Sequence, residues 1–126
     1  MKKKLILLGV ILFIGLAFAI TDGISGTYSG TTTNAYVAAV DIQGEGYIHK
    51  YVHIENTGST NAMLYKVYGY PTLTSTYYEV VVAETSIALS SSDDVKIANT
   101  AYAKLVIQVK WVDAATTYTA DFNLVP

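Results

Sequence analysis

The chain has 126 residues, of which 52% are hydrophobic and 14% are charged, and its formal net charge at pH 7 is −2. Three of the eight basic residues are Lys2, Lys3 and Lys4, so the rest of the chain sets five lysines against ten acidic residues. This balance offers no basic surface for nucleic acid, and we expect no nucleic-acid partner. The length allows one domain with a core that needs no disulfide, and the chain has no cysteine.

The N-terminal residues have the pattern of an export signal. The three lysines precede an apolar run at residues 5–20, and Ala17-Phe18-Ala19 lies near the end of that run. Such a pattern is typical of a secretory signal peptide, which we assign to residues 1–19. The run is shorter than the roughly 20 residues that comfortably span a bilayer, but a retained membrane anchor at residues 5–20 stays as the alternative. Either arrangement predicts an extracellular or cell-surface protein.

Residues 20–33 are assigned to a flexible leader, because Gly, Ser and Thr dominate from residue 21 onward. Ile24 and Tyr28 are the large apolar residues of that stretch. The alternative is a detachable strand that pairs with the sheet edge of a neighbouring subunit, although the alternation of apolar and polar residues is poor.

Residues 34–126 are predicted to form β-strands. Strands are expected near residues 36–42, 47–55, 62–70, 77–84 and 95–99, with turn residues between them. In the second strand, side chains alternate between two faces, which predicts an inner face and an outer face. We assign the inner face to Ile48, Val52 and Ile54, and the outer face to Tyr47, His49, Tyr51 and His53.

The clearest alternation lies at residues 101–125. Apolar residues recur at every second position from Ala103 to Trp111 and again from Tyr118 to Leu124. This pattern predicts a hairpin with one apolar face and one wet face. About seven strands without a helical period predict an all-β fold, a single antiparallel β-sandwich that follows an N-terminal hydrophobic helix. The strand pattern leaves open whether the sandwich is immunoglobulin-like or jelly-roll-like.

The sequence around one predicted turn resembles that of a known class of proteins. The residues His53-Ile54-Glu55-Asn56-Thr57-Gly58-Ser59 end a predicted strand in Asn-x-Gly just before the apolar strand at residues 62–67. This phrase resembles one found in exported immunoglobulin-like β-sandwich surface proteins, TasA-like filament subunits among them. The resemblance implies an extracellular sandwich and assembly by strand addition.

The sequence contains no grouping that predicts catalysis or metal binding. On a strand, His49 and His53 lie about 13 Å apart, which is too far for one metal ion. Asp93-Asp94 lacks the spaced ligands of a Ca²⁺ loop, so a solvated turn is favoured there over a Ca²⁺ site. No serine lies in a G-x-S-x-G motif. We therefore expect no catalytic, cofactor or metal site, and we expect that the protein is not an enzyme.

The 11 tyrosines supply most of the aromatic content. Tyr65 and Tyr118 are predicted to lie in the core. Because tyrosine is favoured at contact surfaces, residues on the predicted outer faces become candidate subunit contacts, together with the two apolar residues of the leader. The candidates are Ile24, Tyr28, Tyr47, Tyr51, Tyr68, Tyr70, Tyr102 and Val106.

These features predict a non-catalytic structural subunit of an extracellular assembly, a cell-surface filament or a virion. Such a subunit would self-associate through its sheet edges and its Tyr-rich faces, since low charge removes a common protection of sheet edges against pairing. The alternative is a carbohydrate-binding or adhesion module, either membrane-tethered or secreted. In that module a stripe of Tyr47, His49 and Tyr51 would stack on a glycan.

Overall fold

The computed structural model describes residues 23–98 and 101–126. The signal peptide or anchor predicted at residues 1–19 lies outside these ranges. Within them the chain contains no helix, and therefore none that could cross a membrane.

Eight antiparallel strands form two four-stranded sheets. The strands are β1 (Ile24–Thr31), β2 (Val37–Gln43), β3 (His49–Asn56), β4 (Met63–Tyr70), β5 (Glu79–Ile87), β6 (Ser92–Ala98), β7 (Lys104–Trp111) and β8 (Thr117–Val125). Sheet A has the strand order β1-β8-β3-β6, and sheet B has the order β2-β7-β4-β5. The all-β prediction is confirmed, with one strand more than the seven expected.

The strand order decides between the two sandwich types. Pairing is nested along the chain, because β1 pairs with β8, β2 with β7, β3 with β6 and β4 with β5. Nested pairing of eight strands in two sheets is the topology of a jelly roll. An immunoglobulin domain instead splits its strands into sheets with a different order.

The apolar alternation at residues 101–125 marks two strands that do not pair with each other. In sheet B, β7 pairs with β2 and β4, whereas β8 pairs with β1 and β3 in sheet A. The predicted hairpin is therefore wrong, although the predicted inner faces are correct at Leu105, Ile107, Ala120 and Leu124, which are buried. Two strands with one apolar face each can lie side by side or face one another across a core, and alternation alone does not distinguish these arrangements.

The flexible leader predicted at residues 20–33 is wrong for residues 24–31. These residues form β1, which pairs with β8 along its whole length, from Ile24 opposite Leu124 to Thr31 opposite Thr117. The order of β1 comes from backbone hydrogen bonds, for which every residue except proline has both an N–H donor and a C=O acceptor. A composition rich in Gly, Ser and Thr therefore does not exclude a strand.

The core lies between the two sheets and contains mostly branched apolar side chains. Its largest members include Tyr65, Ile54, Met63, Leu105, Ile107 and Leu124. The predicted inner residue Ile48 precedes β3 and is 44% exposed, so that assignment is wrong. Lys50 takes the inward position at 1% exposed, and its Nζ donates a hydrogen bond to the Tyr47 carbonyl at 2.6 Å. Burial lowers the pKa of Lys50.

A fully buried asparagine joins several turns at one end of the sandwich. The Asn56 amide donates to the Asn61 carbonyl at 2.8 Å and to the Ile87 carbonyl at 3.3 Å. Its Oδ1 accepts from the Gly58 amide at 3.1 Å and from the Thr116 hydroxyl at 2.7 Å. Asn56 therefore ties β3 to the ends of β5 and of the β7–β8 crossover, which explains the Asn-x-Gly sequence at this turn.

Replacing Asn56 by Ala should lower the free energy of unfolding by about 2 to 3 kcal/mol, because several buried polar groups lose their partner. Urea unfolding at neutral pH measures this change. The control is Asn34→Ala, at an exposed position, which should change stability by less than about 0.5 kcal/mol. Equal effects of the two substitutions would contradict a structural role for Asn56.

A partly buried hydrogen bond also links the two sheets. The Tyr65 hydroxyl on β4 donates to Asp93 Oδ2 on β6 at 2.5 Å. Burial, followed by the hydrogen bond to this carboxylate, raises the pKa of Tyr65 above its ordinary value near 10. The folded protein therefore favours the neutral phenol, while the unfolded chain ionises near pH 10.

The stability that Tyr65 contributes through this pKa shift should be complete below about pH 10 and should decline as the pH rises beyond it. Tyr65→Phe should be less stable than the wild type by about 1 to 3 kcal/mol at pH 8. The difference in the free energy of unfolding should shrink at pH 11. At that pH the Tyr65 phenol must be protonated when the wild type folds, whereas the variant has no phenol to protonate. Urea unfolding of both proteins at the two pH values tests the prediction, and a difference that stays constant would contradict it.

Candidate contact surfaces

Each sheet has two edge strands, and the outward N–H and C=O groups of an edge strand pair with no neighbouring strand among the described residues. Such edges add further strands unless bulges or charges protect them. The register of β2 shifts between Ala38 and Val40, and that of β5 shifts twice along β4. The register of β6 is regular, but the strand carries Asp93, Asp94 and Lys96. These three edges are protected.

The fourth edge, β1, has neither protection. Its sequence ISGTYSGT contains no charged residue and no proline, and its register along β8 is unbroken over eight pairs. Among the strands that the structure describes, β1 alone presents a regular and uncharged edge.

The side chains of β1 contribute little to holding it in place. Its inward positions are Ile24, Gly26, Tyr28 and Gly30, and Ile24 is 48% exposed. A Cβ atom on Gly26 would lie 2.7 Å from the Phe122 ring, so the glycine leaves room for this ring beside the strand. The Tyr28 ring contacts Phe122 with centroids 5.8 Å apart, and its hydroxyl donates to the Asp41 carbonyl at 3.0 Å. Tyr28 is thus the main side-chain anchor of an otherwise backbone-held strand.

The outer face of sheet B carries a cluster that we call the Tyr–Lys surface. It consists of four tyrosines and three lysines: Tyr36, Tyr68, Tyr70, Tyr78, Lys66, Lys104 and Lys110. Each ammonium group lies over a ring, with Lys66 Nζ 4.0 Å and Lys110 Nζ 4.8 Å from the Tyr36 centroid and Lys104 Nζ 4.5 Å from the Tyr70 centroid. None of these lysines forms an ion pair with a carboxylate of the described residues.

Within this surface, Tyr36 forms a hydrogen bond to a carboxylate and Tyr78 contacts two other tyrosine rings. The Tyr36 hydroxyl donates to Glu84 Oε2 at 2.5 Å, and burial together with this carboxylate raises the pKa of Tyr36. The Tyr78 ring lies 4.6 Å from that of Tyr68 and 5.7 Å from that of Tyr70. The result is a continuous aromatic area with ammonium groups above it, a composition that suits a protein contact.

The predicted contact residues lie in different environments. Tyr68 and Tyr70 belong to the Tyr–Lys surface, while Tyr51 lies on the outer face of sheet A and is 38% exposed. Val106 lies on the outer face of sheet B as predicted, but it is only 7% exposed and offers little to a partner. Tyr47 packs against the core, contrary to the prediction.

Tyr102 also differs from the prediction, because it covers Gly69 and donates to Glu79 Oε2 at 2.7 Å. Sequence reasoning missed Tyr36 and Tyr78 as surface residues and gave no outer face to the strand that begins near Tyr77. The sequence does place large apolar residues close together at Tyr77, Tyr78 and Val80. In the structure these side chains are exposed and do not point into the core.

The outer face of sheet A is polar and is organised in rows across the strands. In one row, Tyr51 on β3 lies between Asn123 on β8 and Lys96 on β6. In the next, His53 lies between Asp121 and Asp94.

The second row is held by hydrogen bonds. His53 Nδ1 lies 2.8 Å from Asp94 Oδ1, and this hydrogen bond is the main cause that lowers the pKa of Asp94. The Thr27 hydroxyl donates to Asp121 Oδ1 at 2.6 Å. In the part of the chain that the structure describes, no group of three or more His, Cys, Asp or Glu residues is arranged to hold a metal ion.

Only part of the predicted stripe of Tyr47, His49 and Tyr51 exists on this face. The rings of His49 and Tyr51 are stacked, with centroids 6.1 Å apart and planes inclined by 8°. Tyr47 precedes β3 and packs against the core instead.

Comparison with solved structures identifies similar folds. A chain of the Bacillus endospore appendages, described as a novel family of disulfide-linked pili, has 10% identity and a TM-score of 0.52, covering 82% of this chain and 87% of that one. The Yersinia pseudotuberculosis-derived mitogen has 12% identity and a TM-score of 0.55, covering 83% and 88%. The SPBc2 prophage-derived protein YomS has 14% identity and a TM-score of 0.51, covering 81% and 93%.

At these identities the likeness establishes the fold alone, since one fold supports many functions. No family model and no curated protein matches the sequence.

The close approach of Gly26 to Phe122 yields a prediction for β1. Gly26→Ala should weaken the docking of β1 by about 1 to 3 kcal/mol, because the added methyl group overlaps the ring. Hydrogen exchange should then show protection of the β1 amides that is lower by about tenfold or more, with β4 unchanged. Ser25→Ala, on the outer face of the same strand, is the control. Greater protection in Gly26→Ala would contradict the packing described, since alanine otherwise favours an extended strand over glycine.

Proposed function

We propose that this protein is a structural subunit of an extracellular assembly, a cell-surface filament or a virion, whose copies join through the β1 edge. The observation that carries the proposal is the contrast among the four edge strands. Three of them carry bulges or charges, while β1 has a regular register and no charge. An edge that is meant to stay free is normally protected, so an unprotected one favours strand pairing.

Antiparallel pairing of β1 with the β1 of a second copy would join two A sheets into one sheet of eight strands. Backbone hydrogen bonds would supply much of the affinity, as in other cases of strand addition. The side chains offer no obstacle, because the strand contains only Ile, Ser, Gly, Thr and Tyr. Such a contact is self-complementary and relates the two copies by a two-fold axis perpendicular to the sheet.

One self-complementary contact closes a dimer, so a filament or shell needs a second contact. The Tyr–Lys surface supports this role, because it lies on the opposite sheet and leaves the β1 edge free. Tyrosine rings supply contact area at a small cost in conformational entropy, and they are enriched in protein interfaces. Copies that alternate between the two contacts would form an open chain.

The joints in such an assembly would not be disulfide bonds. The Bacillus appendages that share this fold are described as disulfide-linked pili, whereas this chain has no cysteine. The proposed role also involves no catalytic step, and it depends on the export that the pattern at residues 1–19 predicts.

Charges placed on the β1 edge should block assembly. In Ser25→Lys/Ser29→Lys, two outward side chains of β1 become ammonium groups that repel their counterparts in a second copy. We expect the wild type, recovered after export, to form dimers and longer particles, and this variant to need at least tenfold higher concentration to do so. Sedimentation velocity and negative-stain microscopy measure the difference.

The control Ser86→Lys/Ser92→Lys adds the same charge to the protected edges β5 and β6. It should assemble like the wild type, and all three proteins should have the same strand-type circular dichroism. Strictly monomeric wild-type protein at high concentration, or equal loss of assembly in both variants, would overturn the proposal.

A further inference from the structure

A shallow depression of about 230 Å³ lies on the outer face of sheet A, across β8, β3 and β6. Its floor is formed by Val52, Val95 and Phe122, whose side chains point toward the core. Its walls are the outward side chains of the two cross-strand rows: Tyr51, Asn123, Lys96, His53, Asp94 and Asp121. All three strands are regular here, so the positions of the wall residues are set by a rigid scaffold.

The two rows differ in how their polar groups are used. In the row of Asp121, His53 and Asp94, one oxygen of each carboxylate already has a partner, and the other has no partner in the described part of the chain. In the row of Asn123, Tyr51 and Lys96, no side chain has a hydrogen-bond partner among the described residues. The depression therefore combines ordered acceptors with unused donors from an amide, an ammonium group and a phenol.

An aromatic ring lies beside these polar groups. Tyr51 is partly exposed, and its stacking on His49 restricts the orientation of the ring at the rim of the depression. A pyranose presents an apolar face of C–H groups and a rim of hydroxyls that both donate and accept. A ring with mixed donors and acceptors next to it is complementary to both parts of such a molecule.

We infer that this depression is a binding site for a neutral carbohydrate. The Tyr51 ring packs against the sugar face, the free carboxylate oxygens of Asp94 and Asp121 accept from hydroxyls, and the Asn123 amide donates to them. Acidic sugars are disfavoured, because Glu55, Asp94 and Asp121 outnumber Lys96 on this face. The site goes beyond the assembly role and does not use the β1 edge.

Assembly through β1 would nonetheless strengthen binding. A two-fold axis perpendicular to a continuous sheet leaves both A faces on the same side, so two depressions would face the same glycan-bearing surface. Two linked sites bind such a surface more tightly than one.

The test is binding of the full chain, recovered after export, to an array of neutral oligomers of glucose, mannose, galactose and N-acetylglucosamine and of sulfated and uronic acid glycans. We expect binding to at least one neutral series. Tyr51→Ala and Asn123→Ala should each weaken it about tenfold, since each removes one element of recognition. The control Tyr77→Ala, which removes an exposed tyrosine outside both the depression and the Tyr–Lys surface, should change it less than twofold.

Absence of binding to every neutral series would overturn the inference. So would binding restricted to acidic glycans, or equal losses in Tyr51→Ala and Tyr77→Ala. The single variant Ser29→Lys separates this inference from the proposed assembly, because it charges the β1 edge opposite Thr119, away from the depression. It should lose avidity on the array while affinity for a single soluble oligomer stays unchanged. Thermal melting of each variant confirms that the fold is intact.

Discussion

The backbone ladder of β8 is the interaction on which the other features of this protein depend. On one side it orders β1, whose own side chains bury little, and on the other it pairs with β3. Its inward residues Ala120 and Leu124 belong to the core, and its outward residues Asp121 and Asn123 form part of the depression on sheet A. The free edge and the candidate sugar site therefore both follow from the position of this strand.

Buried polar contacts give the sandwich its rigidity where the strands cross from one sheet to the other. Asn56 gathers the turns at one end, and the bond from Tyr65 to Asp93 joins the sheets through their inner faces. These contacts are costly to break, because breaking them leaves buried or partly buried polar groups without their partners. Side-chain contacts thus fix the arrangement of the interior. The β1 edge, in contrast, is held by backbone hydrogen bonds and a single aromatic anchor.

The two proposals use separate parts of the molecule. Strand pairing at β1 acts in the plane of sheet A, the Tyr–Lys surface faces outward from sheet B, and the depression opens from the outer face of sheet A. In these proposals, a subunit joins its neighbours and still presents the depression and the Tyr51 ring to the surroundings. Low overall charge favours the proposed pairing between copies. The carboxylates on the outer face of sheet A favour neutral over acidic ligands in the proposed site.

The sequence by itself determined the fold class and the inward residues of β7 and β8, because a period of two is a local property of an extended chain. It did not determine strand partners, since backbone groups are the same at nearly every residue. The hairpin at residues 101–125 and the flexible leader at residues 24–31 were therefore predicted wrongly. Ile48 was placed inward because the start of β3 was predicted too early. Only the tertiary structure decided that Asn123, Tyr51 and Lys96 share one row, because cross-strand neighbours far apart in the chain are set by register alone.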